Sequence, residues 1–173
     1  MSTQPKNIFL IGMMGAWKST VGRKLSRATD FRFRDMDKEI EREAGLIVSH
    51  IFEVMSEREF RELERQTLNR LIRTEHQVIA TGGGVVLDDG NRFILTTEGY
   101  TIYLKAQPEV LDRRIKNVQK RPILQRSRNK LETLRQIYKE RHAYYETSCH
   151  YVIETDDISP EDIVDLIKKK LNI

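Results

Sequence analysis

The strongest constraint on this chain is an alternation: five short runs suited to strands are interleaved with stretches patterned as helices. Asn7-Ile8-Phe9-Leu10-Ile11 is apolar after its first residue and stops at Gly12, the pattern of a strand covered on both faces. From Lys18 to Ala28, Val21, Leu25 and Ala28 recur at helical spacing. Phe31-Arg32-Phe33-Arg34 alternates with period two and ends at Asp35, and charged helix formers from Lys38 to Glu43 follow, stopped by Gly45. The longest helical pattern runs from about Glu57 to Thr74, with Phe60, Leu63, Leu68, Leu71 and Ile72 as one apolar stripe. Val78-Ile79-Ala80, Thr101-Ile102-Tyr103-Leu104 and Tyr151-Val152-Ile153 read as three further strands. Helical stretches near Gly90 to Thr97, from Pro108, from Lys130 to Ala143 and from Ser159 accompany them. Asn117 to Arg128 is polar, basic and interrupted by Pro122, which suits an exposed, mobile loop.

Strands alternating with helices predict an α/β fold, a parallel sheet covered by helices on both faces. The length of 173 residues suits one domain spanning 1–173. Ligands of such sheets bind at the carboxyl ends of strands, near a topological switch point. That rule directs attention to the residues after Ile11, Phe33, Ala80 and Leu104. No run approaches the roughly 18 apolar residues of a membrane span, so no membrane partner is expected. A net charge of +4 spread along the chain gives only weak support to a nucleic-acid role and suits a small anionic ligand equally well. One cysteine, Cys149, excludes an internal disulfide, and with no signal segment expected before the first strand a cytoplasmic setting fits.

Gly12-Met13-Met14-Gly15-Ala16-Trp17-Lys18-Ser19-Thr20 lies between the first strand and first helix. It matches a phosphate-binding loop at every position but one, where Trp17 replaces glycine. Backbone N–H groups at a helix start wrap a phosphate chain, a lysine reaches its outer phosphates, and a serine hydroxyl ligates Mg²⁺. A non-glycine residue forced into that backbone region costs about 1–3 kcal/mol, so weaker nucleotide binding is expected, unless the indole points outward harmlessly. Asp35-Met36-Asp37 ends the second strand, where one carboxylate can hold hydrated Mg²⁺ and the other a substrate hydroxyl; the alternative is Asp37 as cap of a helix at Lys38. Gly82-Gly83-Gly84 allows close approach of a ligand or simply a flexible turn. Arg61 and Glu64 stand one helical turn apart and can pair. Lys120-Arg121-Pro122 suits a lid that brings a cation onto a transferring phosphoryl group. His50, His76, His142 and His150 lack metal-ligand spacing, and no hydrolase elbow occurs.

In this order, the phosphate loop, Asp35-Met36-Asp37, Phe60-Arg61-Glu62-Leu63-Glu64, Thr81-Gly82-Gly83-Gly84, Arg121-Pro122-Ile123-Leu124 and Arg141 before Tyr145 resemble the shikimate kinases. The resemblance implies ATP-dependent phosphorylation of the shikimate 3-hydroxyl, in aromatic amino acid biosynthesis, on a three-layer fold with strand order 2-3-1-4-5. It implies a nucleotide site at Gly12, Gly15, Ala16, Trp17, Lys18, Ser19, Thr20 and Arg121, with Arg114 stacking on adenine. Asp37, Arg61, Gly82, Gly83, Gly84 and Arg141 would hold shikimate, within a helical part at about 36–75. Ser19 and Asp35 would position Mg²⁺. Lys18, Asp37 and Arg121 would be catalytic, Arg121 lying in a lid at about 117–128. A monomer is expected. Two departures stand out: Trp17 itself, and Ala143 where the family usually has proline. A gluconate-type kinase, or a catalytically impaired ligand-binding relative, remains the alternative.

Overall fold

In a computed structural model of the chain, residues 5–119 and 121–173 are described. Five strands, β1 (Asn7–Ile11), β2 (Arg32–Asp35), β3 (Gln77–Ala80), β4 (Tyr100–Lys105) and β5 (Tyr151–Glu154), form one sheet in the order β2-β3-β1-β4-β5. Every neighbouring pair is parallel. All residues of β1 and β3 are buried, as strands sandwiched between helices must be. From β1 the chain moves out to the edge strand β2 and returns to β3. It then crosses β1 to reach β4 and β5, which makes the carboxyl end of β1 a topological switch point.

Nine α-helices accompany the sheet among the described residues: α1 (Lys18–Arg27), α2 (Met36–Ala44), α3 (Val48–Val54), α4 (Glu57–Leu71), α5 (Asp89–Thr97), α6 (Pro108–Arg114), α7 (Pro122–Gln125), α8 (Lys130–Thr147) and α9 (Pro160–Leu171). Helix α1 packs on α9 and α6 on α8. The sheet and these helices share one core, built around Phe9, Leu10, Ile79 and Tyr103. No helix among the described residues is long and apolar enough to cross a membrane.

A second, smaller cluster of Ile40, Ile51 and Phe60 joins α2, α3 and α4, with Phe52 and Phe60 rings 4.3 Å apart. The apolar stripe expected on α4 is therefore shared between two cores. Phe60 and Leu63 face the small cluster, whereas Leu68, Leu71 and Ile72 join the main one. A capping box of Ser56 and Glu59 fixes where α4 begins, and hence where Arg61 stands in its first turns.

Three segments depart from the sequence expectation. Helix α3 forms where no helix was read. The segment 117–128, expected to be irregular, carries the short helix α7, with Pro122 in its first turn and Leu124 buried. Helix α2 begins at Met36 rather than Lys38, so Asp37 lies in its first turn and does not share the strand end with Asp35. Asp35 precedes that helix without a side-chain capping bond, and Asp37 is not its cap.

Candidate active site

The carboxyl edge of the sheet opens into a cleft of about 720 Å³. Its floor begins at the loop after β1. Three of its residues have positive φ: Gly12 (140°), Gly15 (82°) and Trp17 (66°). A side chain on Gly12 would also meet the Leu104 carbonyl oxygen at 2.6 Å, and one on Gly15 the Ile115 side chain at 2.8 Å. The loop thus needs glycine at 12 and 15 for both conformation and room. At position 17 only conformation is at issue, and the chain accepts a strained tryptophan.

Lys18 turns back over this loop. Its Nζ donates to the carbonyl oxygens of Gly12 and Met13, each at 2.8 Å. Withdrawal from water, reinforced by the neighbouring Arg121 charge, lowers its pKa to about 8. The Ser19 hydroxyl donates to Asp35 Oδ2 at 2.6 Å, across the gap between α1 and β2. A hydroxyl and a carboxylate converging in this way, with water and phosphate to complete the shell, fit the oxygen preference and sparse protein ligation of Mg²⁺. Among the described residues no cluster of three or more His, Cys, Asp or Glu could hold a metal by itself.

Asp37 faces the same cleft. Burial raises its carboxyl pKa, and the Asp35 charge adds to the rise, against Lys18 and Arg121. Beyond it stands the second glycine turn, 82–84, after β3. None of its glycines has positive φ, so conformation does not explain them. Two side chains do. A Cβ on Gly82 would lie 2.5 Å from Glu64 Oε1, and one on Gly84 would overlap the Arg61 guanidinium. Gly83 has ordinary room.

Arg61 Nη1 donates to Glu64 Oε2 at 2.9 Å and Nη2 to Glu57 at 3.3 Å. Glu64 is fully enclosed, and burial outweighs the arginine's pull to raise its pKa. On the far wall Arg141 is buried on α8, and its Nε, like that of Arg61, has no hydrogen-bond partner among the described residues. One turn further along α8, the Tyr145 hydroxyl donates to the Gly83 carbonyl oxygen, while its ring stacks on Tyr103 at 5.0 Å. Burial pushes its pKa up to about 12, against the Arg141 charge.

The residues read from sequence therefore meet in one place. Gly15, Trp17, Lys18, Ser19, Thr20, Asp35, Asp37, Arg61, Gly82, Gly83, Gly84, Arg114, Arg121 and Arg141 all line this cleft. Gly12 and Ala16 support the loop from beneath, both buried. Lys120 lies outside the described residues. Sequence reasoning assigned no task to Tyr145 or Glu64. The signal for Tyr145 was its spacing of four from Arg141, which sets both on one face of α8. That for Glu64 was the same spacing rule applied to Arg61, which revealed the pair but not its burial against Gly82.

The shikimate kinase family profile matches residues 14–172. A shikimate kinase of Pseudomonas paraeruginosa is 41% identical over 165 residues, covering 95% of both chains. One of Nitrosospira multiformis is 38% identical over 167 residues, covering 96% of this chain and 85% of the relative. The chain belongs to the shikimate kinase family. Among solved structures, that of the Acinetobacter baumannii shikimate kinase in complex with shikimate is 37% identical and superposes with a TM-score of 0.92, covering 99% of this chain and 95% of that one. A Sinorhizobium meliloti gluconokinase, 14% identical with a TM-score of 0.59, shares the fold alone while covering 97% and 92% of the two chains. An ATP-dependent kinase is thus what the family provides, on the sheet order already described.

Proposed function

We propose that this chain transfers the γ-phosphate of ATP to the 3-hydroxyl of shikimate. The observation that carries the reading is a juxtaposition. A phosphate loop, Asp37 and two arginines, half-buried Arg61 and buried Arg141, line one and the same cleft. The reaction asks for little covalent help from the protein, so positioning and charge supply most of the catalysis.

The α1 amino terminus receives the phosphates: its first N–H groups are unpaired within the helix, and no acidic residue occupies its first turn. Lys18 is tethered to two loop carbonyls and keeps a third ammonium N–H for a phosphate oxygen. Mg²⁺, bound with the nucleotide, offsets phosphate charge; Ser19 and Asp35 are the residues that would hold it. On the acceptor side, Arg61 and Arg141 receive the carboxylate, which guanidinium forks bind bidentately, and Gly83 adds a backbone N–H. Asp37 accepts a hydrogen bond from the attacking hydroxyl and takes its proton as the new P–O bond forms. Its raised pKa makes it a stronger base than an exposed aspartate. Arg121, at the head of α7, delivers positive charge to the moving phosphoryl group.

In this reading, residues 36–75 form the acceptor-binding part and 117–128 a lid. The enzyme acts as a monomer in the cytoplasm. A coupled ADP-release assay with Mg-ATP, comparing shikimate with gluconate, tests the assignment. Turnover that requires shikimate is expected. Preference for gluconate would move the chain to the other acceptor class, and ADP release indifferent to either acid would leave no kinase reading.

A further inference from the structure

The contact between Trp17 and Arg114 has no place in the phosphate-transfer scheme, and it joins residues far apart in the sequence. Arg114 closes α6 and is held by its edge. Nη1 donates to Thr155 Oγ1 at 3.0 Å, and Nη2 to the Thr155 carbonyl. Those bonds lie in the guanidinium plane, so its flat faces are what remain for ligands. One face carries the indole of Trp17, with the guanidinium carbon 3.4 Å from the ring centroid. That is well inside the roughly 6 Å limit for a cation–π contact. Trp17 holds φ at 66° in the same conformation.

The adjoining residues decide what the stack does. Trp17 precedes Lys18 and Ser19 directly, and both partners of the stack line the cleft. A nucleotide whose outer phosphates lie at Lys18 and Ser19 must lead its base away along this wall. The flat cationic surface in contact with the phosphate loop is Arg114, anchored at its edge. The indole demonstrates that this surface accepts an aromatic plane.

We propose that Trp17 is a built-in occupant of the base seat: its indole covers Arg114 in the nucleotide-free protein, and the base of an incoming nucleoside triphosphate displaces it. Trp17 thereby sets nucleotide affinity, because a ligand with a base must undo the stack and a bare phosphate chain need not. This inference rests on the phosphate-donor reading above, and goes beyond it by assigning competition between a side chain and the base.

Trp17 is the single tryptophan of the chain, so its fluorescence reports the stack directly. Full-length protein is titrated with Mg-ATP and, separately, with magnesium tripolyphosphate, while emission and acrylamide quenching are followed. ATP is expected to free the indole and increase quenching, and tripolyphosphate to leave it stacked. Calorimetry then compares Trp17→Ala, which removes the ring but keeps a Cβ on the left-handed backbone. ATP should bind about five- to tenfold tighter to this variant, the size of one lost cation–π contact, with tripolyphosphate affinity within about twofold. ATP binding that leaves emission and quenching unchanged overturns the proposal. So does an equal gain for both ligands, which would trace the effect to the backbone. So too does weaker ATP binding by Trp17→Ala, which would make the indole a wall that supports the base. If neither ligand produces heat, the phosphate-donor reading falls as well; if ATP binds and the indole stays in place, only the base-seat proposal does.

Discussion

Two glycine-rich turns meet at the carboxyl edge of the sheet, one after β1 and one after β3, and they use glycine for opposite reasons. The first is conformational. Gly12 and Gly15 hold backbone angles that side chains rarely adopt, and Trp17 shares that region at a cost. The second keeps ordinary angles and uses glycine as empty volume, which the carboxylate of Glu64 and the guanidinium of Arg61 fill. In the proposed reading, one turn shapes the protein's own backbone around a phosphate chain. The other lets a charged pair from α4 press against the sheet edge, where the same reading places the acid acceptor. Equal composition therefore does not imply equal function, and the two turns should break differently.

The largest effect is expected at Gly12. Alanine there combines a forbidden φ with a clash against a backbone carbonyl that cannot step aside. Gly12→Ala should cost about 3 kcal/mol of folding stability or more, read by urea denaturation. Gly84→Ala should behave otherwise, because its Cβ meets the far end of a flexible side chain. Stability should change by less than about 1 kcal/mol, while the KM for the acid acceptor rises roughly ten- to a hundredfold as Arg61 is pushed from its pair with Glu64. A Gly84→Ala variant that unfolds but binds the acceptor normally would erase the distinction between the turns.

The pH dependence sharpens the comparison from the phosphate side. Only the ammonium form of Lys18 attracts phosphate, and its pKa of about 8 lies below the 10.5 of an exposed lysine. Above pH 8 the kcat/KM for ATP should therefore fall, approaching tenfold per pH unit. Stability should move the other way. Between about 8 and 10.5 the unfolded chain binds the proton that the folded site has released, so this lysine's contribution to stability rises with pH. A fall in both together would contradict a lysine penalised by burial. The smallest effect belongs to Trp17→Gly. Relief of the left-handed strain and loss of the Arg114 stack oppose each other, so the net gain in stability should be at most about 1 kcal/mol by thermal denaturation.

Much of this architecture was legible in the chain itself. The apolar runs at β1 and β3 announced strands buried on both faces, and Gly12 through Thr20 marked the loop by residue type and spacing. The Arg61–Glu64 pair followed from helical geometry. What stayed hidden depends on partners distant in sequence. Helix α3 begins after Ile47, which cannot cap it, and has no acid in its first turn; the Val48 N–H instead donates to the Glu41 carboxylate of α2, so nothing in its own stretch announces it. Burial of Ile51 against Ile40 and Phe60 holds it. Helix α7 is a single turn whose anchor, Leu124, sits in the core. The displacement of Asp37 from strand end to helix reflects a boundary two residues earlier than charge patterning suggested. The stack of Trp17 on Arg114 and the bond from Tyr145 to Gly83 each span dozens of residues, and no local period encodes them.

The two turns form one machine only if phosphate leaves the first and arrives on an acid held beside the second. Phosphorus NMR of a mixture of the protein, Mg-ATP and shikimate observes that transfer atom by atom. The γ-phosphate resonance should disappear at the rate at which a phosphomonoester of the shikimate alcohol appears. Inorganic phosphate as the sole new signal, or an unchanged nucleotide spectrum, would contradict the account.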